Sequence, residues 1–332
     1  WGVGNGQMQQ EIPFYASNDQ LASLVFSNDS TRLLTGTSGY RRNELRPFQT
    51  AVQQWSFPDG ILQYTFTREN TYGAALGISP DGSLAAAGVL NGDTDQDHCI
   101  YLWTTATGAE AAQISTRGLE ITSLAFSPAG DGLAVGAQND QKIRIYNAAD
   151  LSFSLAHSIQ TSGTVNDLAY SPDGSMLAAG EYIFAYGDST GEVQIWNASE
   201  GSPGSFGTLI VTLGGHPARV NSVSFSSDGQ VLATADEAGT IRLFEVPNKQ
   251  PILELKQTGS SANSVVFSLD GTLVMAGFDD GSICLWNTGS GELLATLKEH
   301  SAAVTALKLS PDGKLLASAS IDGSILLWGI PR

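Results

Sequence analysis

Leu309-Ser310-Pro311-Asp312-Gly313 indicates the fold of this 332-residue chain, because six related copies precede it. In such a stretch Pro pre-sets the φ of a turn, Asp can bond the backbone that follows, and Gly accepts the positive φ that closes a hairpin. We interpret each copy as a hairpin between two strands, named a and b. The other copies are Phe26-Ser27-Asn28-Asp29, Ile78-Ser79-Pro80-Asp81-Gly82, Phe126-Ser127-Pro128-Ala129-Gly130, Tyr170-Ser171-Pro172-Asp173-Gly174, Phe225-Ser226-Ser227-Asp228-Gly229 and Phe267-Ser268-Leu269-Asp270-Gly271.

A third strand, c, follows each hairpin and ends on an aromatic residue. Consecutive aromatics are 42 to 50 residues apart, close to the period of a four-stranded propeller blade. A fourth, outer strand d is clearest at 292–297, and period-2 alternation supports strands throughout. The aromatics are Trp55, Trp103, Tyr146, Trp196, Phe244, Trp286 and Trp328.

The chain resembles the WD-repeat family, and the resemblance covers essentially its whole length. It implies an all-β fold: a single seven-bladed β-propeller over residues 1–332, built of four-stranded antiparallel blades that start near residues 21, 73, 120, 164, 219, 262 and 303. The family pattern also implies a structural hydrogen-bonded tetrad in the last blade. Its members are His300, Ser318, Asp322 and Trp328.

Other blades depart from this pattern. Gln49, Thr190 and Ala238 stand where the family places Asp, six residues before the strand-c aromatic, and only His216 and His300 fit the His position. We therefore expect one complete tetrad, in the last blade, and more reliance on apolar packing elsewhere.

The last repeat supplies strands a, b and c but no strand d, so an open edge would remain. Residues 1–8 echo residues 286–293, which precede the outer strand of the sixth blade. We predict that residues 1–14 provide the outer strand of the last blade, with the strand itself within Met8 to Phe14. Pro13 suits an outer edge, where an N–H is dispensable.

The net charge of −17 repels phosphate backbones and makes nucleic acid an unsuitable partner. No apolar run reaches the length of a membrane span. Few charged residues and many small polar ones favour an exported over a cytoplasmic protein, and we expect a bacterial source, although no single motif decides either point. Two cysteines exclude a disulfide framework.

Repeats one, two and four carry insertions between strands b and c, of about nine, six and seven residues. The family resemblance implies that b–c and d–a loops share one face, where binding usually resides on such scaffolds. The first insertion contains Tyr40, Arg41, Arg42 and Arg46, a reversal of charge sign in an acidic chain. It predicts contact with an acidic partner; the alternative is a solvated loop that balances nearby carboxylates.

The second insertion contains Asp93, Asp95 and Asp97, which resemble half of a Ca²⁺ loop. The downstream bidentate Glu of an EF-hand is missing, so we expect a turn residue at Asp97 and solvated carboxylates beside it, with Ca²⁺ as the alternative. No other cofactor is expected.

The fourth insertion is aromatic at alternate residues, Tyr182, Phe184 and Tyr186. It predicts either a stacking platform for a peptide or glycan, or a strand packed on the neighbouring blade. Residues 187–191 also match G-x-S-x-G, but the strand-to-helix context of a hydrolase nucleophile is missing.

Two functions remain open. The first is a non-catalytic scaffold that presents these insertions to a protein or peptide. The second is a small-molecule or metal site, with or without enzymatic activity, at the mouth of the central channel, where we expect the side chains of Asn166, Asp167, Asn221 and Asn263. Converging carboxylates and histidines would favour the second, and a mixed polar funnel the first. The oligomeric state is not predicted.

Overall fold

The computed structural model describes residues 8–13, 20–38, 49–57, 59–69, 71–91, 98–138, 140–184, 190–199 and 204–330. Within these ranges every regular element is a β-strand, and there is no helix that could cross a membrane. The strands form seven four-stranded antiparallel sheets. The predicted seven-bladed β-propeller is thus confirmed.

Each sheet is one blade, with its strands numbered in chain order. Blade 1 comprises β2 (Gln20–Phe26), β3 (Arg32–Ser38), β4 (Gln49–Ser56) and β5 (Leu62–Glu69); blade 2, β6 (Thr71–Ile78), β7 (Leu84–Asn91), β8 (Cys99–Thr104) and β9 (Glu110–Ser115); blade 3, β10 (Ile121–Phe126), β11 (Gly132–Ala137), β12 (Lys142–Asn147) and β13 (Leu155–Gln160); blade 4, β14 (Thr164–Tyr170), β15 (Met176–Ile183), β16 (Thr190–Asn197) and β17 (Leu209–His216). Blade 5 comprises β18 (Val220–Phe225), β19 (Val231–Asp236), β20 (Thr240–Glu245) and β21 (Gln250–Lys256); blade 6, β22 (Ala262–Phe267), β23 (Leu273–Phe278), β24 (Ile283–Asn287) and β25 (Leu293–Leu297); blade 7, β26 (Val304–Leu309), β27 (Leu315–Ser320), β28 (Ser324–Gly329) and β1 (Met8–Pro13).

The a–b turns share one hydrogen-bond pattern, seen clearly in blade 7. Ser310 Oγ donates to Asp312 Oδ1 at 2.7 Å and accepts from the Leu315 N–H at 3.0 Å, while Gly313 adopts a φ of 70°. Blade 1 has no glycine at this place, and Ser30 adopts a φ of 55° there. In blade 3 the acid lies later in the turn, where Asp131 accepts from Ser127 at 2.6 Å. The serine therefore fixes each hairpin even where the Asp or Gly is displaced.

The strand-c aromatics are the largest side chains between the blades. Trp328 packs against the b and c strands of blade 6, and Tyr146 packs in the same way against blade 2. All seven aromatics are buried, and each lies in a different core between adjacent blades. The 42–50-residue spacing thus reflects one large buried ring for each junction.

Strand b of one blade approaches strand a of the next so closely that side-chain sizes are matched. A Cβ on Gly136 would lie 2.5 Å from Val165 Cγ1 of blade 4, so only glycine fits. In blade 5 the same place holds Ala235, and the residue opposite in blade 6 is the small Ala262; both are fully buried. Small residues at this place therefore let the blades pack closely around the axis.

β1 is the outer strand of blade 7. It pairs antiparallel with β28, from Met8 opposite Trp328 to Pro13 opposite Ser324. On the inner side, Thr305 of β26 donates its hydroxyl to the Leu21 carbonyl of blade 1 at 2.8 Å, and the two blades share an apolar core. These two sets of contacts join the last blade to the first.

Candidate functional site

The b–c turns and d–a connections lie at the same edge of the sheets, which we call the insertion face. Main-chain hydrogen bonds join them: the Glu237 N–H donates to the Arg219 carbonyl at 2.9 Å, and the Ile321 N–H to the Ala303 carbonyl at 3.0 Å. A residue inserted between strands b and c therefore extends this face.

Blade 7 brings together the four side chains of the expected tetrad. His300 Nε2 lies 2.7 Å from Ser318 Oγ, and His300 Nδ1 lies 3.1 Å from Asp322 Oδ2. The Trp328 indole N–H donates to Ser318 Oγ at 2.8 Å. Burial lowers the pKa of His300 below its usual value although Asp322 opposes this. The tetrad links strands b and c to the preceding d–a connection, and its role is structural.

Blade 5 contains a related triad that the sequence argument missed. His216 Nδ1 lies 2.9 Å from Asp236 Oδ2, and His216 Nε2 lies 3.0 Å from Thr234 Oγ1. The acid comes from the end of strand b, two residues before Ala238. Asp236 Oδ1 also accepts the Ala238 and Thr240 N–H groups of the turn. Phe244 replaces Trp and has no N–H to donate. Blade 5 is thus held by these polar bonds as well as by apolar packing.

The fourth insertion lengthens the b–c hairpin of blade 4. β15 and β16 have eight residues each, against six in β19 and β20 of blade 5. The added pairs include Tyr182 opposite Gly191 and Ile183 opposite Thr190. Part of the insertion is therefore a strand, which agrees with one of our two alternatives.

The aromatic residues of this hairpin differ in exposure. The Arg219 guanidinium carbon, from the next d–a connection, lies 5.3 Å from the centre of the half-buried Tyr182 ring. Phe184 is 78% exposed, the largest value among the described large hydrophobic residues, and its ring centre is 6.4 Å from that of Tyr182. Tyr186 lies outside the described residues. Tyr182 is thus partly used against blade 5, while Phe184 faces solvent.

Glu181, immediately before Tyr182, is fully buried. Its Oε2 accepts the Gly163 N–H at 2.8 Å, whereas its Oε1 has no hydrogen-bond partner among the described residues. Burial raises the pKa of Glu181 to about 8, and the cross-strand carboxylate of Glu192 adds to the increase. Glu181 is therefore mostly protonated at neutral pH. No motif in the sequence pointed to it.

The other two insertions stay at the level of sequence prediction. Tyr40, Arg41, Arg42 and Arg46 lie outside the described residues, and so do the three carboxylates proposed as a Ca²⁺ alternative, Asp93, Asp95 and Asp97. Within the described part of the chain, no group of three or more His, Cys, Asp or Glu side chains could hold a metal ion.

The mouth of the central channel is a cavity of about 420 Å³. Its lining includes the four side chains expected there and, besides Asp167, three ionisable residues of mixed sign, Glu120, Arg219 and Lys308; no His is among the described residues that line it. Among the described residues, the mouth of the channel is thus a mixed polar funnel.

Most polar groups of the channel join one blade to the next instead of pointing freely into it. Asp167 accepts the Val223 N–H of blade 5 at 3.0 Å and lies 3.2 Å from Ser123 Oγ of blade 3. In blades 3 to 7, a polar side chain near the start of strand a donates to a main-chain carbonyl near the start of the following strand a. These bonds are Thr122 to Val165, Asn166 to Val220, Asn221 to Ala262, Asn263 to Val304 and Thr305 to Leu21.

Comparison with known proteins agrees with this architecture. The family model described as WD domain, G-beta repeat matches residues 113–147, 151–197, 207–245, 249–287 and 291–329, more than half of the chain. WD repeat-containing protein SL1-17 of Schistosoma mansoni is 32% identical over 197 residues, covering 58% of this chain and 57% of that protein.

Two further relatives are similar to this chain, and each alignment covers a smaller part of this chain and of the relative. Small ribosomal subunit protein RACK1 of Caenorhabditis elegans is 28% identical over 41% of this chain and 37% of its own length. Human Echinoderm microtubule-associated protein-like 2 is 28% identical over 53% of this chain and 28% of its own length. The chain thus spans between about a quarter and somewhat over half of these relatives. All three are eukaryotic and give no support to a bacterial source. The repeats, their seven blades and these matches show that the chain belongs to the WD-repeat family.

Proposed function

We propose that this chain is a non-catalytic scaffold that binds a protein or peptide on its insertion face. The observation that carries the proposal is Phe184, an aromatic side chain 78% exposed at the end of a lengthened hairpin. Exposed aromatics beside an arginine are typical of interface hot spots, because they combine large contact area with hydrogen bonding. Arg219 and Tyr182 supply that neighbourhood.

The names of two relatives support the same kind of function. One is a small ribosomal subunit protein, and another is microtubule-associated protein-like. Both names describe proteins that belong with larger assemblies. In this chain the channel polar groups are occupied by bonds between blades, which leaves the insertion face as the better candidate surface.

Quantitative capture from the native source tests the proposal. The intact chain is compared with a Tyr182→Ala, Phe184→Ala variant and with a matched control, Leu293→Ala, Leu294→Ala, which removes two side chains that are 49% and 50% exposed on the outer strand of blade 6. We expect a partner captured equally by the intact chain and the control, and at least about tenfold less by the hairpin variant. Equal capture by all three would exclude this hairpin as the site.

The first insertion is tested separately. An Arg41→Ala, Arg42→Ala, Arg46→Ala variant removes the positive charge of that loop, so an acidic partner should be captured less and with weaker dependence on salt. If the salt dependence of capture is unchanged, the arginines are solvated and the partner does not contact them.

A further inference from the structure

A cleft of about 670 Å³ lies between blades 3 and 4, at the edge of the ring that carries the a–b turns. This edge is opposite the insertion face. The cleft is lined by the ends of β11, β12 and β13 on one side and by the a–b turn and c–d connection of blade 4 on the other. Its volume lies within the range of about 300–1,000 Å³ that is usual for small-molecule sites.

The space arises from Gly132, the first residue of strand b in blade 3. The equivalent residue packs into the core shared with the next blade in blades 2, 4, 5, 6 and 7, where it is Leu84, Met176, Val231, Leu273 or Leu315. Gly132 does not have a positive φ, and a Cβ there would lie 3.6 Å from Ile145 Cγ2, an ordinary contact. Neither backbone conformation nor crowding requires this glycine, so its effect is to leave room between the blades.

Aromatic rings surround this room. The His157 ring stacks on Phe206 with ring centres 4.2 Å apart and an interplanar angle of 22°. Tyr146, which is buried, and Tyr170, which is half-buried, contribute the other rings. The faces of Tyr and Phe rings carry a negative quadrupole and attract organic cations.

The charges at the entrance have one sign. Asp131 and Asp173 are exposed and line the cleft, and no Lys or Arg is among the described residues that line it. The Ser171 hydroxyl and then the Ser175 N–H hold the pKa of Asp173 below its usual value, so this carboxylate is ionised at neutral pH. An anionic ligand would be repelled and a cationic one attracted.

We propose that the cleft between blades 3 and 4 binds a small organic ammonium compound. Its aromatic or aliphatic body occupies the room beside Gly132, and its charged nitrogen lies near Asp131, Asp173 and the ring faces. This site is separate from the insertion face, so its test does not depend on the proposed scaffold function.

Titration with benzylammonium chloride and with benzyl alcohol, followed by ligand-observed NMR, tests the chemistry. The two probes have nearly the same shape and differ in charge. We expect saturable binding of benzylammonium and binding of benzyl alcohol that is weaker by roughly 2- to 30-fold, the range that a cation–π contact supplies. Absence of saturable benzylammonium binding, or equal affinity for both probes, would overturn the proposal.

Two sets of variants locate the site. Gly132→Leu fills the room and should abolish binding of both probes, and Gly132→Ala, whose Cβ fits, should weaken it. Val231→Leu changes the same place in blade 5 and should leave binding unaltered. Circular dichroism verifies that each variant is folded, and undiminished binding by either folded Gly132 variant would contradict the assignment.

The charge is tested by Asp173→Asn, which should weaken benzylammonium binding and leave benzyl alcohol unaffected. Asp312→Asn is the matched control, because Asp312 makes the same serine and main-chain hydrogen bonds in the blade 7 turn. Equal effects of the two Asn variants on benzylammonium binding would show that the charge of Asp173 does not act locally in the cleft and would refute its assigned role.

Discussion

Blades 4 and 5 each bury an acidic side chain at the same place and satisfy it differently. Glu181 lies opposite Val165 and Asp236 opposite Val220, which are equivalent residues of strand a. Asp236 contacts an imidazole and accepts two turn N–H groups. Blade 4 has Thr161 at the position of that imidazole, four residues before Val165, and Glu181 Oε1 has no hydrogen-bond partner among the residues that the structure describes.

The difference shows that the propeller tolerates a buried acid in two ways. Where hydrogen-bond donors surround the carboxyl, their bonds compensate for its removal from water. Where they are lacking, the group takes up a proton, as the raised pKa of Glu181 indicates. Three substitutions test this difference between the two blades.

His216→Ala should have the largest effect. It leaves Asp236, whose side chain is fully buried, without its imidazole, and Thr234 without one of its hydrogen-bond partners. We expect a loss of about 3–5 kcal/mol in the free energy of unfolding measured in urea. Leu294→Ala, at an exposed position, should change it by less than about 0.5 kcal/mol. A loss below about 1 kcal/mol for His216→Ala would mean that Asp236 is satisfied without the imidazole, by the turn N–H groups and by Arg242, whose Nη1 lies 4.0 Å from Asp236 Oδ2.

Glu181→Gln should change how stability depends on pH. The pKa of Glu181 is about 8 in the folded chain and near 4.5 when unfolded, so the folded state binds more protons in between. Stability from this group is therefore complete below pH 4.5 and is lost as pH rises to about 8, by on the order of 5 kcal/mol. Because Gln does not ionise, the Gln variant should become more stable relative to wild type as the pH rises through this interval. A constant difference would show that Glu181 ionises normally.

Trp328→Phe should have the smallest effect of the three. It makes blade 7 resemble blade 5 by removing the indole N–H that donates to Ser318, while His300 still bonds Ser318. We expect a loss of about 1–2 kcal/mol in the free energy of unfolding. If the loss instead equals that of His216→Ala, the indole and not the histidine is the main partner of the strand-b hydroxyl.

The sequence predicted the parts of the fold that recur with fixed chemistry. Seven serine-containing turns and seven strand-c aromatics located the blades, and His300, Ser318, Asp322 and Trp328 could be placed because blade 7 follows the family spacing. Asp236 was missed because counting back from Phe244 reaches Ala238. The acid there comes from strand b itself, and no spacing rule expresses that substitution.

The channel residues show another limit of sequence reasoning. Asn166, Asn221 and Asn263 were expected in the channel and do line it, but their bonds to the next blade depend on how closely two strands approach. The sequence argument did not identify Glu181 or Gly132 as important residues, for a similar reason. What matters at both positions is the space and the donors provided by a different blade.

The pairing of β1 with β28 has a consequence for biosynthesis. Met8 and Trp328 are partners in one sheet, so the first of these strands leaves the ribosome some 320 residues before the second. At about 5–20 residues per second, β1 waits roughly 15–60 s for its neighbour. During that time its hydrogen-bonding edge can be protected only by chaperones or by non-native pairing. Translation speed and chaperone supply should therefore influence the yield of closed rings more than any single blade does.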